Sequence, residues 1–479
     1  MKLSVSKKAN VNYLAKVVNI NNFHPHSDPE VTKLKCCTID GFNIITGIDS
    51  EPGLYVYFPT ACCINPNFLS FANLYRHAEL NADHEKTGMF EDNGRVKAIR
   101  LRGELSEGFI LPVVILENYI VSTTNLELDE KIKEGTEFDQ VEHEGKTFWI
   151  NKKYIPENTR TPGAPGSGSR NKGKQPKGVD KLVEGQFRFH YDTVLIKKCP
   201  HVIRPDDLIS ITEKIHGTSG ISARVLCKQE LNWKQRIARW LTGEEFNIYD
   251  GLYSSRTVIK NQFYNKNVGG GYYGCDVWAE ADKVVKTCLV KGMTVYYEIV
   301  GYLPNGGYIQ KNYDYGCIPP STVIKFPAGS ERAYYITNAD GTHTFYKEGT
   351  HFKVRVYRVT LTNVDGIVHE FSAREVQQWC KQVGLTPVTE YYYGYAKDLY
   401  PDLNPSEHWT ENFMARLAND KNFNMEMNSP SCNNKVPHEG LVIKIENMKS
   451  EAFKLKCFKF LDKEGKELDK GETNIEDNA

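Results

Sequence analysis

Lys214 lies in the run Thr212-Glu213-Lys214-Ile215-His216-Gly217-Thr218-Ser219, and a lysine amine attacks phosphorus only in its neutral form. A reactive lysine therefore needs burial or cationic neighbours that favour loss of its proton. The flanking residues offer a place for this. A strand-like stretch, Asp207-Leu208-Ile209-Ser210-Ile211-Thr212, precedes it, and a glycine turn and a second strand, Ile221-Ser222-Ala223-Arg224-Val225-Leu226, follow. Lys214 is thus expected in a loop beside a sheet, where a pocket can form. Lys-x-His-Gly alone is too short to carry meaning and by itself reads far more readily as a solvated loop lysine.

The runs downstream change that balance. They are Ser254-Ser255-Arg256-Thr257, Val295-Tyr296-Tyr297-Glu298-Ile299-Val300-Gly301, Phe352-Lys353-Val354-Arg355-Val356-Tyr357-Arg358-Val359, Glu439-Gly440-Leu441-Val442-Ile443-Lys444 and Phe453-Lys454-Leu455-Lys456. The second and third read as strands, rich in β-branched and aromatic residues with single polar insertions. In order and local sequence the series resembles the motifs of the ATP-dependent ligases and capping enzymes, and among them most closely the RNA ligases, over about residues 180 to 460.

That resemblance implies a role for each residue. Lys214 would take AMP from ATP as a lysyl phosphoramidate and release pyrophosphate. Glu213 would lie near the adenine edge, with His216 and Gly217 closing the turn beside the nucleophile. Arg256 would meet the nucleotide or an incoming 5′-phosphate, Glu298 the ribose hydroxyl, and Tyr357 the adenine face. Glu439 would help to hold a metal ion, Mg²⁺ or Mn²⁺, and Lys454 and Lys456 would neutralise phosphates. Such roles suit nucleotidyl transfer, which rests on positioning and on cations around developing charge. Plainer readings stand beside them. Glu298 could be a buried carboxylate paired to a structural arginine, Tyr357 could be core, and lysines at period two also occur on solvated strands. Arg358 interrupts the alternation of its strand, and its role is open.

The elements that must position these residues follow from the rest of the chain. At 479 residues it is long enough for two or three domains. Residues 156–179 are rich in Gly, Pro and Ser and basic, which predicts a flexible linker. Before it, short strands at 14–20, 32–39, 42–46, 53–58, 97–102 and 108–114 predict an OB-like barrel over 1–155. The run Arg100-Leu101-Arg102-Gly103-Glu104-Leu105-Ser106-Glu107-Gly108-Phe109 is similar to a segment of the N-terminal OB domains in the RNA ligase group that includes a Deinococcus enzyme. Arg95, Lys97, Arg100 and Arg102 stand at or near strand spacing, as residues following an RNA backbone would, or as an ordinary solvated edge would.

The expected fold is α+β: an N-terminal OB-like β-barrel, then over 180–462 a nucleotidyltransferase (ATP-grasp-like ligase) domain of two antiparallel sheets with flanking helices, and a charged tail over 463–479. The segment 388–435 shows no motif. Ser372-Ala373-Arg374-Glu375 is a capping box that opens a helix ending at Gly384. In Trp233, Ile237, Trp240 and Leu241 one apolar helical face stands against Lys234, Arg236 and Arg239. That pattern fits a membrane-surface helix, but its place between two motifs predicts packing on the sheet.

Sixty Lys+Arg balance 60 Asp+Glu, so positive charge for nucleic acid must be gathered locally. The 12 cysteines include no Cys-x-x-Cys spacing, which gives a structural zinc site little support. With no signal peptide and no run of about 20 apolar residues, the chain is expected to be a soluble intracellular monomer with no membrane partner. The expected activity joins RNA 3′-hydroxyl and 5′-phosphate ends, as in a nicked duplex. DNA sealing, GTP-dependent RNA capping and a catalytically inactive nucleic-acid-binding protein are the rival readings.

Overall fold

A computed structural model describes residues 2–7, 9–126, 131–156, 181–243, 245–260, 273–320, 333–337, 343–347, 351–404, 408–447 and 451–471. The expected linker, Pro156 apart, lies outside the described residues.

Two five-stranded sheets form the C-terminal part. The first has the order Val194–Leu195, Glu451–Lys456, Gly440–Ile445, Leu208–Glu213, Glu390–Tyr395. Its short outer strand pairs in parallel, with Val194 opposite Phe453, so this sheet is mixed rather than wholly antiparallel. The second has the order Asn247–Ser255, Thr218–Lys228, Met293–Gly301, Phe352–Thr362, Val368–Glu370, all antiparallel. Alternating apolar residues fill the core beneath each sheet: Ile209, Ile211, Leu441, Ile443 and Leu455 under the first, and Val295, Tyr297, Ile299, Val356 and Trp278 under the second. The chain passes from one sheet to the other through residues 214–217.

The helix Ala373–Val383 starts at the predicted capping box, with Ser372 and Glu375 bonded reciprocally, and ends at Gly384 with φ 76°. The helix Trp233–Thr242 departs from expectation. It is capped at both ends, yet none of its residues is buried. It joins the hairpin strands Thr218–Lys228 and Asn247–Ser255, and among the described residues its side chains Trp233, Ile237, Trp240 and Leu241 stand exposed. At the other end of the chain, Phe458–Asp469 is a helix, so the expected charged tail begins as ordered structure. Its charges pair along the helix, Lys463 with Glu467 at 2.6 Å and Lys466 with Asp462 at 2.7 Å.

The N-terminal strands fall close to their predicted places, as Ala15–Ile20, Leu34–Ile39, Phe42–Gly47, Gly53–Pro59, Ile99–Leu101 and Gly108–Pro112. They form separate open sheets, and none closes into a barrel among the described residues. The central one runs Gly108–Pro112, Gly53–Pro59, Ala15–Ile20, Glu137–Phe138. After that two-residue edge, the chain leaves to pair Gln140–His143 with Lys2–Ser4 in another sheet. The helix Val113–Thr124 buries Leu116, Tyr119 and Ile120 in the same core as Val17 and Val56.

Candidate active site

The crossover places Lys214 between the sheets. Its backbone N–H donates to the Gly440 carbonyl at 2.9 Å, which fixes the turn against the Gly440–Ile445 strand. Its Nζ stands 2.7 Å from Glu439 Oε1, and both side chains are largely buried. Glu439 Oε2 lies 3.7 Å from His216 Nδ1. The His216 ring packs edge-on to Tyr313 and Phe460, at 4.7 and 5.0 Å between centroids, and its backbone N–H donates to the Tyr315 hydroxyl at 2.8 Å.

Gly217 ends the crossover where no side chain fits. A Cβ there would meet the Ile299 carbonyl oxygen at 2.5 Å and Glu298 Oε2 at 3.2 Å. The glycine therefore lets the turn lie directly on the Met293–Gly301 strand and brings Glu298 towards Lys214.

Glu213, Lys214, Glu298 and Tyr357 line one pocket of about 130 Å³, with His190, Tyr191, Arg358, Glu370 and Lys444 among its other walls. Burial raises the Glu213 carboxyl above its ordinary range, against hydrogen bonds from Thr389 Oγ1 at 2.9 Å and Ser431 Oγ at 3.2 Å. Both donors come from the segment 388–435, which shows no motif. Tyr357 is held through its hydroxyl by Ser219 Oγ and His190 Nδ1, each at 3.1 Å. Burial pushes its phenol far above the usual range, so it remains a neutral hydroxyl.

A bulge explains Arg358. The pairing of Met293–Gly301 with Phe352–Thr362 slips between Tyr296 and Tyr297, so that Tyr296 faces Arg358 and Tyr297 faces Val356, with Tyr357 as the inserted residue. Core positions accordingly run Val354, Val356, Val359, while Tyr357 and Arg358 both reach the pocket. Arg358 binds Glu370 through Nε and Nη2 at 2.7 Å each. Its guanidinium lies between the rings of Tyr191 and Tyr296, at 4.8 and 4.4 Å. Neither Glu370 nor the two rings carried a legible signal, because their partnership depends on the inserted residue.

Lys454 and Lys456 share a strand face with Ala452, which lines the pocket, and Lys456 Nζ sits 3.3 Å from Glu464. Arg256 follows the strand Asn247–Ser255 and pairs with Asp192, beside Tyr191. The N-terminal basic residues are elsewhere; Arg95 and Lys97 meet protein, whereas Arg100 and Arg102 are exposed. Arg95 is buried against the C-terminal helix, 2.5 Å from Asp469 and 3.0 Å from the Gly465 carbonyl. Lys97 reaches the same Asp469 at 3.0 Å. Arg100 covers the Phe458 ring at 4.5 Å, and Arg102 occupies the turn with φ 50°. Strand spacing alone did not disclose the C-terminal helix that Arg95, Lys97 and Arg100 meet.

No family profile and no curated protein matches the chain. Among solved structures, a mutant Naegleria gruberi RNA ligase with ATP and Mn superposes with a TM-score of 0.51 at 13% identity, over 95% of this chain and 99% of that one. The chain has an RNA-ligase-like fold. The Naegleria gruberi RNA ligase with PPi gives 0.49 at 13% identity, over 95% and 100% of the two chains. At such identity the likeness is one of fold, and within this RNA-ligase-like fold the chemistry of the pocket rests on its own residues.

Proposed function

We propose that this protein is an ATP-dependent RNA ligase that joins 3′-hydroxyl and 5′-phosphate ends. The observation that carries the reading is Lys214 at the junction of the two sheets, 2.7 Å from the Glu439 carboxylate and lining a pocket with Glu213, Glu298 and Tyr357. The neighbouring RNA ligase solved with ATP and Mn supports the same choice of nucleotide and ion.

In the first step the neutral Lys214 amine attacks the α-phosphorus, and an N–P bond forms as the bond to pyrophosphate breaks. Glu439 Oε1 is placed to hold the proton that Nζ must lose. Tyr357 offers a ring face to the adenine and Glu298 an acceptor to the ribose. Next, a 5′-phosphate oxygen attacks the lysine-bound phosphorus and frees the amine. A 3′-hydroxyl then attacks the RNA phosphate and AMP leaves. Lys454 and Lys456, on the pocket-side face of their strand, place positive charge where the phosphates pass.

Among the described residues no three His, Cys, Asp or Glu side chains group as a metal site. The Glu439 carboxylate beside Lys214 nevertheless suits Mg²⁺ or Mn²⁺, ions that take much of their coordination from phosphate and water. Bound there, such an ion would offset charge on the triphosphate. The role of the N-terminal region in holding RNA belongs to the same proposal.

The test incubates purified protein with α-labelled ATP or GTP and a divalent cation, with Lys214→Ala as control. Label from ATP that survives denaturation and is absent in the variant is the expected result, followed by sealing of a nicked RNA duplex. Label from GTP would make the protein a capping enzyme. Full sealing by Lys214→Ala would end the lysyl-AMP mechanism.

A further inference from the structure

The helix Trp233–Thr242 presents four large apolar side chains to solvent: Trp233 at 68% exposure, Ile237 at 50%, Trp240 at 82% and Leu241 at 68%. At about 100° per residue they fall on one arc roughly 100° wide. Lys234 borders that arc on one side and Arg236 on the other; the helix has no acidic residue of its own, and its third cation, Arg239, stands 3.9 Å from Glu245 just beyond it. From this geometry we infer that the helix is an interfacial anchor whose partner is an anionic phospholipid surface.

Two further features support it. A helix of ten residues is marginal in water without tertiary packing, yet here it is fixed at both ends. Asn232 and Gln235 form a reciprocal capping box, and Gly243 ends the helix with φ 70°. The apolar face is therefore held ready, and no described part of the chain covers it. Placement is the second feature. The hairpin pairs Lys228 with Asn247 at the helix end and Gly220 with Ser255 at the pocket end, a span of roughly 25 Å. A membrane at the helix would leave the pocket open to solvent and substrate.

The composition of the face selects among occupants. Indole rings favour the headgroup level, and Ile237 and Leu241 supply aliphatic surface that gains by entering acyl chains. Single-stranded RNA would be bound by ring faces, and two of the four side chains have none. Cations at both borders of the arc, with no carboxylate in the helix, match a negatively charged plane more closely than a groove of mixed charge. No helix among the described residues is long and apolar enough to cross a membrane, so the association is peripheral.

The experiment sediments the full-length protein with vesicles of phosphatidylcholine alone, or of phosphatidylcholine and phosphatidylserine in equal amounts. Binding to the anionic vesicles is expected to exceed that to the neutral ones by about tenfold and to fall as salt rises. Trp240→Glu combined with Leu241→Gln is expected to lower it by at least about tenfold. Lys234→Gln with Arg236→Gln is expected to weaken anionic binding while leaving the weak binding to neutral vesicles. These side chains are exposed and remote from the pocket, so covalent labelling by ATP should persist in both variants and report an intact fold. Absence of sedimentation with anionic vesicles, or sedimentation unchanged by the apolar substitutions, would overturn the inference. So would vesicle-free protein in which the same substitutions abolish binding of a single-stranded RNA oligonucleotide, or convert a dimer to a monomer by light scattering.

Discussion

The side chains around Lys214 divide between those that meet the pocket and those that keep it in shape, and His438 belongs to the second group. It precedes Glu439 directly, is buried, and touches the Tyr391 hydroxyl at 3.4 Å and Cys457 Sγ at 3.8 Å. Burial pushes its imidazole down to about 4. The folded protein therefore binds this proton less readily than the unfolded chain. Its contribution is fully present above the ordinary histidine value of 6.5 and is lost as pH falls from there towards about 4. The expected cost of acidification across that window is about 3 kcal/mol. Thermal midpoints measured with a chelator present should show the slope in the wild type and a flatter profile in His438→Gln. An equal slope in both would assign the acid sensitivity to other groups.

At the scale of elements, the crossover and the bulged strand do the positioning, and each depends on one tight contact. Gly217→Ala puts a methyl against the Ile299 carbonyl and Glu298. The turn must then lift from the strand, at a cost of about 1–3 kcal/mol. Transfer of label from ATP should fall at least about tenfold, because a nucleophile displaced by an ångström loses its alignment. Single-turnover labelling measures this, and a normal rate would show that the turn has slack. On the bulged strand, Glu370→Gln leaves the Arg358 guanidinium between two rings without its carboxylate. Both side chains are mostly buried, so a loss of about 3 kcal/mol in urea unfolding is expected. Since Tyr191 and Arg358 line the pocket, KM for ATP should rise as well.

Across the whole molecule, the N-terminal region contacts the pocket's supports at two places. At one, Asn12 donates to the Thr193 carbonyl at 3.1 Å and accepts from the Leu195 N–H at 2.8 Å, while Lys197 pairs with Glu107 at 2.6 Å. This holds the stretch that follows His190 and Tyr191. At the other place the C-terminal helix bridges the regions: Phe460 packs on His216 while Asp469 pairs with Arg95, whose side chain is only 3% exposed. Asp469→Ala strands that guanidinium and should cost about 3 kcal/mol. Adding Arg95→Met should recover much of the loss, because an apolar side chain needs no counter-charge. Chemical unfolding of the two variants decides the matter; additive losses would mean that the pair is not coupled.

What could be read in the chain without coordinates was whatever repeats locally. The capping box at Ser372, the alternation of the central strands and the glycine turn after Lys214 are short-range patterns, and backbone geometry enforces them over a few residues. Glu213, Lys214, Glu298 and Tyr357 line one pocket, the first at a strand end, the second on the crossover and the other two on neighbouring strands. Tertiary structure decided the remainder. The slip opposite Tyr296 and Tyr297 reverses the facing of every later residue on its strand, and no local signal marks it. Arg95 and Lys97 have strand-like spacing but face a helix more than 360 residues downstream, because an ion pair depends on distance in space and not along the chain. The helix Trp233–Thr242 has the same periodicity whether a sheet covers it or water does, and only the place where its hairpin ends determines which.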